Sequence, residues 1–168
     1  MHFRLFLIAL LALPLVAASP MQRHDDIVDI AASNDDFSTL VAAVQAAGLV
    51  DTLKGDGPFT VFAPTNDAFA RLGDDAIQRL LRPENRAQLV AILTYHVVPG
   101  EFKASDVGRV NELTTANGEK LSIGSRIDNA QLLATDIEAS NGVIHVIDRV
   151  LMPREMPAER RTRSRSHH

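Results

Sequence analysis

The hydrophobic period changes once along this chain, and that change restricts the fold more than any other feature. Ahead of Pro99-Gly100 the apolar residues recur at helical spacing: Phe37, Leu40, Val41 and Val44 fall at i, i+3, i+4 and i+7. Residues 25–33 place Ile27, Ile30 and Ala31 on one helical face. Asp35 or Asp36 caps the following helix, and Gly48 suits its left-handed C-terminal position. Residues 49–53 add a turn before Gly55-Asp56-Gly57-Pro58 breaks the pattern. One strand, residues 59–62, is ended by Pro64. Thr65 then caps a short helix, residues 75–81 are helical, and Pro83 opens a helix reaching Tyr95. Beyond Gly100 the texture is strands and turns. Residues 112–115 and 119–123 flank Asn117-Gly118, and residues 131–139 and 143–147 flank Asn141-Gly142, each a type I′ hairpin signal. Helices early and hairpins late define an α+β domain, not alternating βαβ units. With no internal repeat, one domain is expected.

The two ends differ from the body. Met1-His2-Phe3-Arg4, the apolar run from Leu5 to Val16 and the small residues Ala17-Ala18 read as a cleavable secretory signal, residues 1–18, cut after Ala18. A run of about twelve apolar residues is too short for a ~30 Å hydrocarbon core, and no second run comes near that length, so no transmembrane segment is expected in the mature chain. Residues 154–168 lack apolar periodicity and read as a basic disordered tail of net charge +3, ending in His167-His168. Its Arg160, Arg161, Arg163 and Arg165 suit contact with a polyanion, or else a solvated tail that aids solubility. Between Ser19 and Pro153 stand nineteen acidic and eleven basic side chains, a body of −8 inside an overall −4. Such a body argues against nucleic-acid binding, which needs clustered cations. Cysteine is absent, which excludes disulfides, thiolate metal sites, a catalytic thiol and a lipidated N-terminal cysteine. The domain, residues 19–153, is held by its core alone.

Three segments go further. They are Phe59-Thr60-Val61-Phe62-Ala63-Pro64-Thr65-Asn66-Asp67-Ala68-Phe69, then Leu93-Thr94-Tyr95-His96-Val97-Val98-Pro99-Gly100, then Asn141-Gly142-Val143-Ile144-His145-Val146-Ile147-Asp148-Arg149-Val150-Leu151. In this order and spacing they closely resemble the two signature boxes and the central Tyr-His motif of the fasciclin (FAS1) family, over about residues 24–153. The resemblance implies a wedge of two packed β-sheets with several helices, mostly in the N-terminal half. It implies an extracellular or periplasmic protein of the adhesion and matrix-interaction class, similar to small single-domain bacterial members. It also implies that the Tyr-His pair, here Tyr95 and His96, supports partner contact as in animal members.

The same residues have plainer roles. His96 follows Leu89, Ile92 and Leu93 at helical spacing, so it reads as a core histidine with hydrogen-bonded ring nitrogens, since an unpaired buried polar atom costs roughly 1–3 kcal/mol. Tyr95 lies about 100° further round the helix and faces a groove or solvent. His145 sits in a strand apolar on both faces, which reads as a central strand. Asp67 is either a first-turn carboxylate favoured by the helix dipole or the partner of His96 or His145, and a buried Asp–His bond joining helix to sheet is the favoured arrangement. Asp136 and Ile137 read as ordinary strand positions. No Gly-x-Ser-x-Gly, His-Glu-x-x-His or glycine-rich phosphate loop occurs, and the two histidines lie far apart without a local ligand cluster. Neither catalysis, nor a cofactor, nor a metal is expected. The sequence points to an exported non-enzymatic adhesion or interaction module that binds a cell-surface or matrix protein or glycan. The alternative is a periplasmic small-ligand-binding or stress-associated protein with a cleft near the Tyr-His motif.

Overall fold

A computed structural model describes residues 25–154; the leader 1–18, the tail arginines 160, 161, 163 and 165 and the terminal histidines lie outside the described residues. Helices α1 (Ile27–Ala32), α2 (Ser38–Ala47), α3 (Val50–Leu53), α4 (Asn66–Ala70), α5 (Asp74–Leu80) and α6 (Arg86–Tyr95) occupy the first half, and α7 (Ala104–Val107) follows. Strand β1 (Phe59–Pro64) is threaded among them. Strands β2 (Val97–Pro99), β3 (Glu112–Thr114), β4 (Lys120–Ser122), β5 (Leu132–Ala139) and β6 (Gly142–Ile147) come after α6. The α+β reading therefore holds, with helices concentrated in the N-terminal half.

Local chemistry explains the boundaries. Asp26 caps α1 by accepting from the Val28 and Asp29 N–H groups, both at 2.9 Å, and Lys54 bridges Asp26 and Asp29 from α3's end. The cap expected at Asp35 or Asp36 belongs to Asn34, because both aspartates lie inside a 3-10 turn (Asp35–Phe37) that precedes α2; Asn34 Oδ1 accepts from Asp36 N–H at 3.0 Å. Pro83 likewise opens a 3-10 turn (Pro83–Asn85) ahead of α6.

Four strands form one sheet in the order β2-β1-β6-β5, and β3-β4 form a second. Within the first, β1 and β6 run parallel in the register Phe59↔Gly142 to Pro64↔Ile147, and the other pairings are antiparallel. Alternation along these two central strands feeds two cores. Val61, Ala63, Ile144 and Val146 join the helices in one cluster with Phe37, Leu40 and Ile92. Phe62 and Ile147 face the opposite side, packed with Tyr95, Leu121, Ile127 and Leu151 against the small sheet. Every residue of β6 is buried, as a central strand covered on both faces requires.

Both Asn-Gly hairpins form, but neither has the type I′ turn. At Asn117-Gly118 only the glycine has a positive φ, 90°. Gly118 N–H donates to Thr115 O and Thr115 N–H to Glu119 O, both at 2.9 Å, which makes a type I turn closed by a left-handed glycine. At the second hairpin the turn is Ser140-Asn141, and Gly142 is already the first residue of β6. A Cβ on Gly142 would lie 1.9 Å from Phe59 O, so glycine is required there by close approach of β1 rather than by its φ. Asn141 is buried in that turn: its Oδ1 accepts from Ile27 N–H (3.1 Å), and its Nδ2 donates to Leu53 O (2.6 Å) and Gly55 O (3.0 Å). One hairpin residue thus fixes α1 and the end of α3 to the sheet.

The two glycines should differ in tolerance. Gly118→Ala, with open space around its Cβ position, should cost about 1–2 kcal/mol of unfolding free energy. Gly142→Ala should cost more than about 3 kcal/mol. Urea unfolding of the two variants beside the parent checks this, and equal losses would contradict the close-approach account.

Candidate functional site

The residues singled out by the motifs are scaffold at their polar ends. His96 terminates α6 and is 2 % exposed. Its Nδ1 lies 2.7 Å from Ile92 O and its Nε2 accepts from Leu151 N–H at 2.8 Å. A backbone N–H can only donate and a carbonyl can only accept, so the partners fix a neutral ring with the proton on Nδ1. His145 is fully buried at the centre of β6 and has the opposite tautomer: its Nε2–H donates to Phe102 O at 2.7 Å, and its Nδ1 accepts a longer 3.4 Å bond from Asp136 N–H. Its ring also stacks on Phe62, with centroids 5.6 Å apart.

Asp67 takes part in neither network. It is exposed in the first turn of α4, and all four ring nitrogens of the two histidines are engaged by backbone groups. The favoured Asp–His bond is therefore corrected, and the first-turn carboxylate is what remains. The polar group that joins α4 to the rest is its neighbour Asn66, whose Nδ2 donates to Asp35 O (2.8 Å) while its Oδ1 accepts from Thr39 N–H (3.0 Å). Thr65 caps the helix at the expected position through Ala68 N–H.

Tyr95 requires a second correction. It is 1 % exposed, not turned to a groove or solvent, because α6 is covered on that side by the small sheet; its hydroxyl donates to Lys120 O at 3.4 Å. Burial, with the Asp128 and Glu119 carboxylates nearby, holds its phenol above the ordinary tyrosine value.

Sequence reasoning passed over Asp136. It stands at an irregularity in the β5–β6 ladder with φ 57°, where few non-glycine residues sit. Its Oδ1 accepts from Ala104 N–H at 2.8 Å, so the bulge ties β5 to α7 while its own N–H meets His145. An aspartate at the middle of a predicted strand is the available signal, since aspartate is disfavoured in strands and tolerates the left-handed region.

His96 also contributes to the wall of a small half-open cavity of about 40 Å3, otherwise lined by apolar side chains from α1, α2, α3, β1, α6 and β2. Val28, Val41, Leu49 and Val50 stand half-buried around it. On the far side of the sheet, β5 is an edge strand with Leu132 and Leu133 exposed.

This geometry meets known proteins consistently. Residues 35–153 match the fasciclin domain family. Over 132 residues the chain is 52 % identical to Protein sll1483 of Synechocystis sp., spanning 76 % of this chain and 73 % of that one. The chain belongs to the fasciclin domain family. It is also 38 % identical over 132 residues, 76 % of its length, to the transforming growth factor-beta-induced protein ig-h3 of Sus scrofa, of which it spans 19 %. Among solved structures, a FAS1 domain pair from the insect cell adhesion molecule Fasciclin I shares the fold with a TM-score of 0.68 and 22 % identity, over 77 % of this chain and 51 % of that one. The fasciclin family is known from adhesion and extracellular-matrix proteins and is generally non-enzymatic. Among the described residues no helix of this fasciclin domain is long and apolar enough to cross a membrane.

Burial holds the His96 pKa down at about 4, against an ordinary value near 6.5. On acidification the unfolded chain takes up this proton first. Stability is therefore complete above about pH 6.5, falls between about 6.5 and 4, and levels off for this group below that, for a total of about 3 kcal/mol. The lowered carboxyls of Asp29 and Asp148 act below this window. Urea midpoints at pH 7.5 and 5.0 should drop for the parent and change far less for His96→Gln; the same drop in both would contradict the assignment.

Proposed function

We propose that this fasciclin domain is an exported interaction module that holds a protein or glycan partner at the cell envelope or in the extracellular matrix, by contact and without turnover. The observation that carries the reading is where the motif chemistry goes. His96 and His145 spend every ring nitrogen on backbone groups, and Tyr95 is sealed in the core. Neither imidazole can shuttle a proton without giving up a structural bond. What the domain offers outward is surface. The apolar leader supports export through signal cleavage after Ala18, and the arginines 160, 161, 163 and 165 support an added contact with polyanions such as lipopolysaccharide.

Beads coated with the mature chain should bind saturably to envelope-coated surfaces or to members of a glycan panel. Soluble chain should compete, and removal of residues 154–168 should abolish only the salt-sensitive share. Absence of saturable capture on every surface would contradict the proposal. An exported small-ligand binder is the second reading, supported by the apolar lining of the cavity beside His96, whose volume of about 40 Å3 has to widen to admit a ligand. Native mass spectrometry on chain isolated from its own envelope separates the two: a stoichiometric apolar adduct supports the binder, and bare chain that still coats beads onto their target supports contact.

A further inference from the structure

The two Asn-Gly pairs at the hairpins differ in how firmly their chemistry is locked. An asparagine followed by glycine carries its own electrophile and nucleophile. The side-chain carbonyl carbon and the next backbone nitrogen close a five-membered ring, and glycine has no Cβ to obstruct the closure. At Asn141-Gly142 the fold prevents this. Asn141 is buried, with its Oδ1 held by Ile27 N–H and its Nδ2 by Leu53 O and Gly55 O, and Gly142 lies against Phe59 in the β1–β6 pairing. Asn117-Gly118 is held by much less. Asn117 is half-buried and Gly118 exposed, with open space where a Cβ would stand. The Gly118 N–H donates to Thr115 O across a turn between strands of three residues each. Thr115 N–H and Ala116 N–H are pinned to Glu119 O and Val97 O, so release of Gly118 opens only the tip of the hairpin. Freeing Asn141 instead undoes the links to α1, α3 and β1. The Asn117 side chain also has a neighbour of consequence. Its Nδ2 donates to Glu119 Oε1 at 3.0 Å, while Glu119 Oε2 accepts from Arg154 N–H at 2.8 Å. One carboxylate thus joins the Asn117 amide to the first residue of the basic segment 154–168.

We infer that Asn117 is a site of spontaneous deamidation in the folded chain, and that its conversion loosens the hold of Glu119 on Arg154. With the Gly118 N–H released from Thr115 O and its proton taken by hydroxide, the nitrogen attacks Cγ of Asn117. The N–Cγ bond forms, the Cγ–Nδ2 bond breaks, and ammonia leaves with a proton returned by water. A water molecule then opens the cyclic imide at either carbonyl. The product at position 117 is an aspartyl residue or, with one extra carbon in the main chain, an isoaspartyl residue. Both replace a donor by a carboxylate beside Glu119. Across the 3.0 Å now spanned by a hydrogen bond two carboxylates repel, so Glu119 turns away and the Arg154 N–H loses its acceptor. Water is the only reagent consumed, and no step requires the partner proposed above.

The full mature chain is aged in mildly alkaline buffer, native and in urea, and its peptides are mapped by mass spectrometry with isoaspartyl methyltransferase labelling. In the native chain position 117 should convert at least about tenfold faster than position 141, and in urea the two should convert at similar rates. Similar native rates at both positions, or conversion at 117 that needs urea, would overturn the site. Hydrogen exchange followed by nitrogen-15 spectra reads the coupling. The Arg154 amide should exchange at least about tenfold faster in Asn117→Asp than in the parent. In Asn117→Ser, which loses the donor without gaining a charge, it should stay close to the parent rate. An Arg154 amide as well protected in Asn117→Asp as in the parent, or equally exposed in both variants, would overturn the link through Glu119.

Discussion

The bond from Leu151 N–H to Nε2 of His96 exists only while the imidazole is neutral, and much of the architecture converges on that ring. Its Nδ1 side closes the last turn of α6 through Ile92 O. Its own backbone carbonyl accepts from Phe62 N–H at 2.8 Å, which joins the helix end to β1. Its Nε2 side draws in the segment after β6, so that Val150 and Leu151 enter different cores. A protonated ring would present a donor to Leu151 N–H and carry a charge at a buried position, losing a bond and adding a desolvation cost together. His145 repeats the device with the opposite tautomer, linking β6 to Phe102 and to the bulge in β5.

Once both histidines are understood as clasps, the functional picture changes place. The motif residues that look chemical are the inner frame, and they hold a four-stranded sheet between two apolar cores. Thr60 contributes to the same frame: its hydroxyl donates to Gly100 O at 2.7 Å and accepts from Phe102 N–H at 2.8 Å, so the loop that meets His145 is held from β1 as well. A rigid interior of this kind suits a contact module, because a pre-ordered surface loses little conformational freedom on binding.

Much of this was legible in the residues because local and global preferences agree. The i, i+3, i+4, i+7 spacing locates α2, the apolar character of both faces of residues 143–147 marks β6 as central, and Thr65 opens α4 and Gly48 closes α2 where their chemistry suits them. The errors share one physical origin, which is that partners distant in sequence leave no periodic trace. Asp67 suits a histidine on chemical grounds, whereas the partners of His96 are backbone groups of Ile92 and Leu151, and nothing local marks Asn66 as the residue that ties α4 down. Tyr95 was turned outward because helical geometry gives its angle but not the sheet that arrives later to cover it. The role of Gly142 was assigned to turn conformation because the approach of Phe59, eighty-three residues earlier, appears only in the parallel pairing. Asp136 was read as ordinary because a single-residue bulge does not disturb the pattern around it.

The claim at the centre of this account is that His96 is a neutral clasp and not a working acid or base. Nitrogen-15 spectra of the imidazole rings, followed from pH 7.5 to 4.5 in the folded chain, test it most directly. The account predicts that His96 shows a protonated Nδ1 and a bare, hydrogen-bonded Nε2 and holds that state down to about pH 5, consistent with its pKa of about 4. A His96 ring that titrates near pH 6.5 with the fold intact, or one whose proton sits on Nε2, would contradict it.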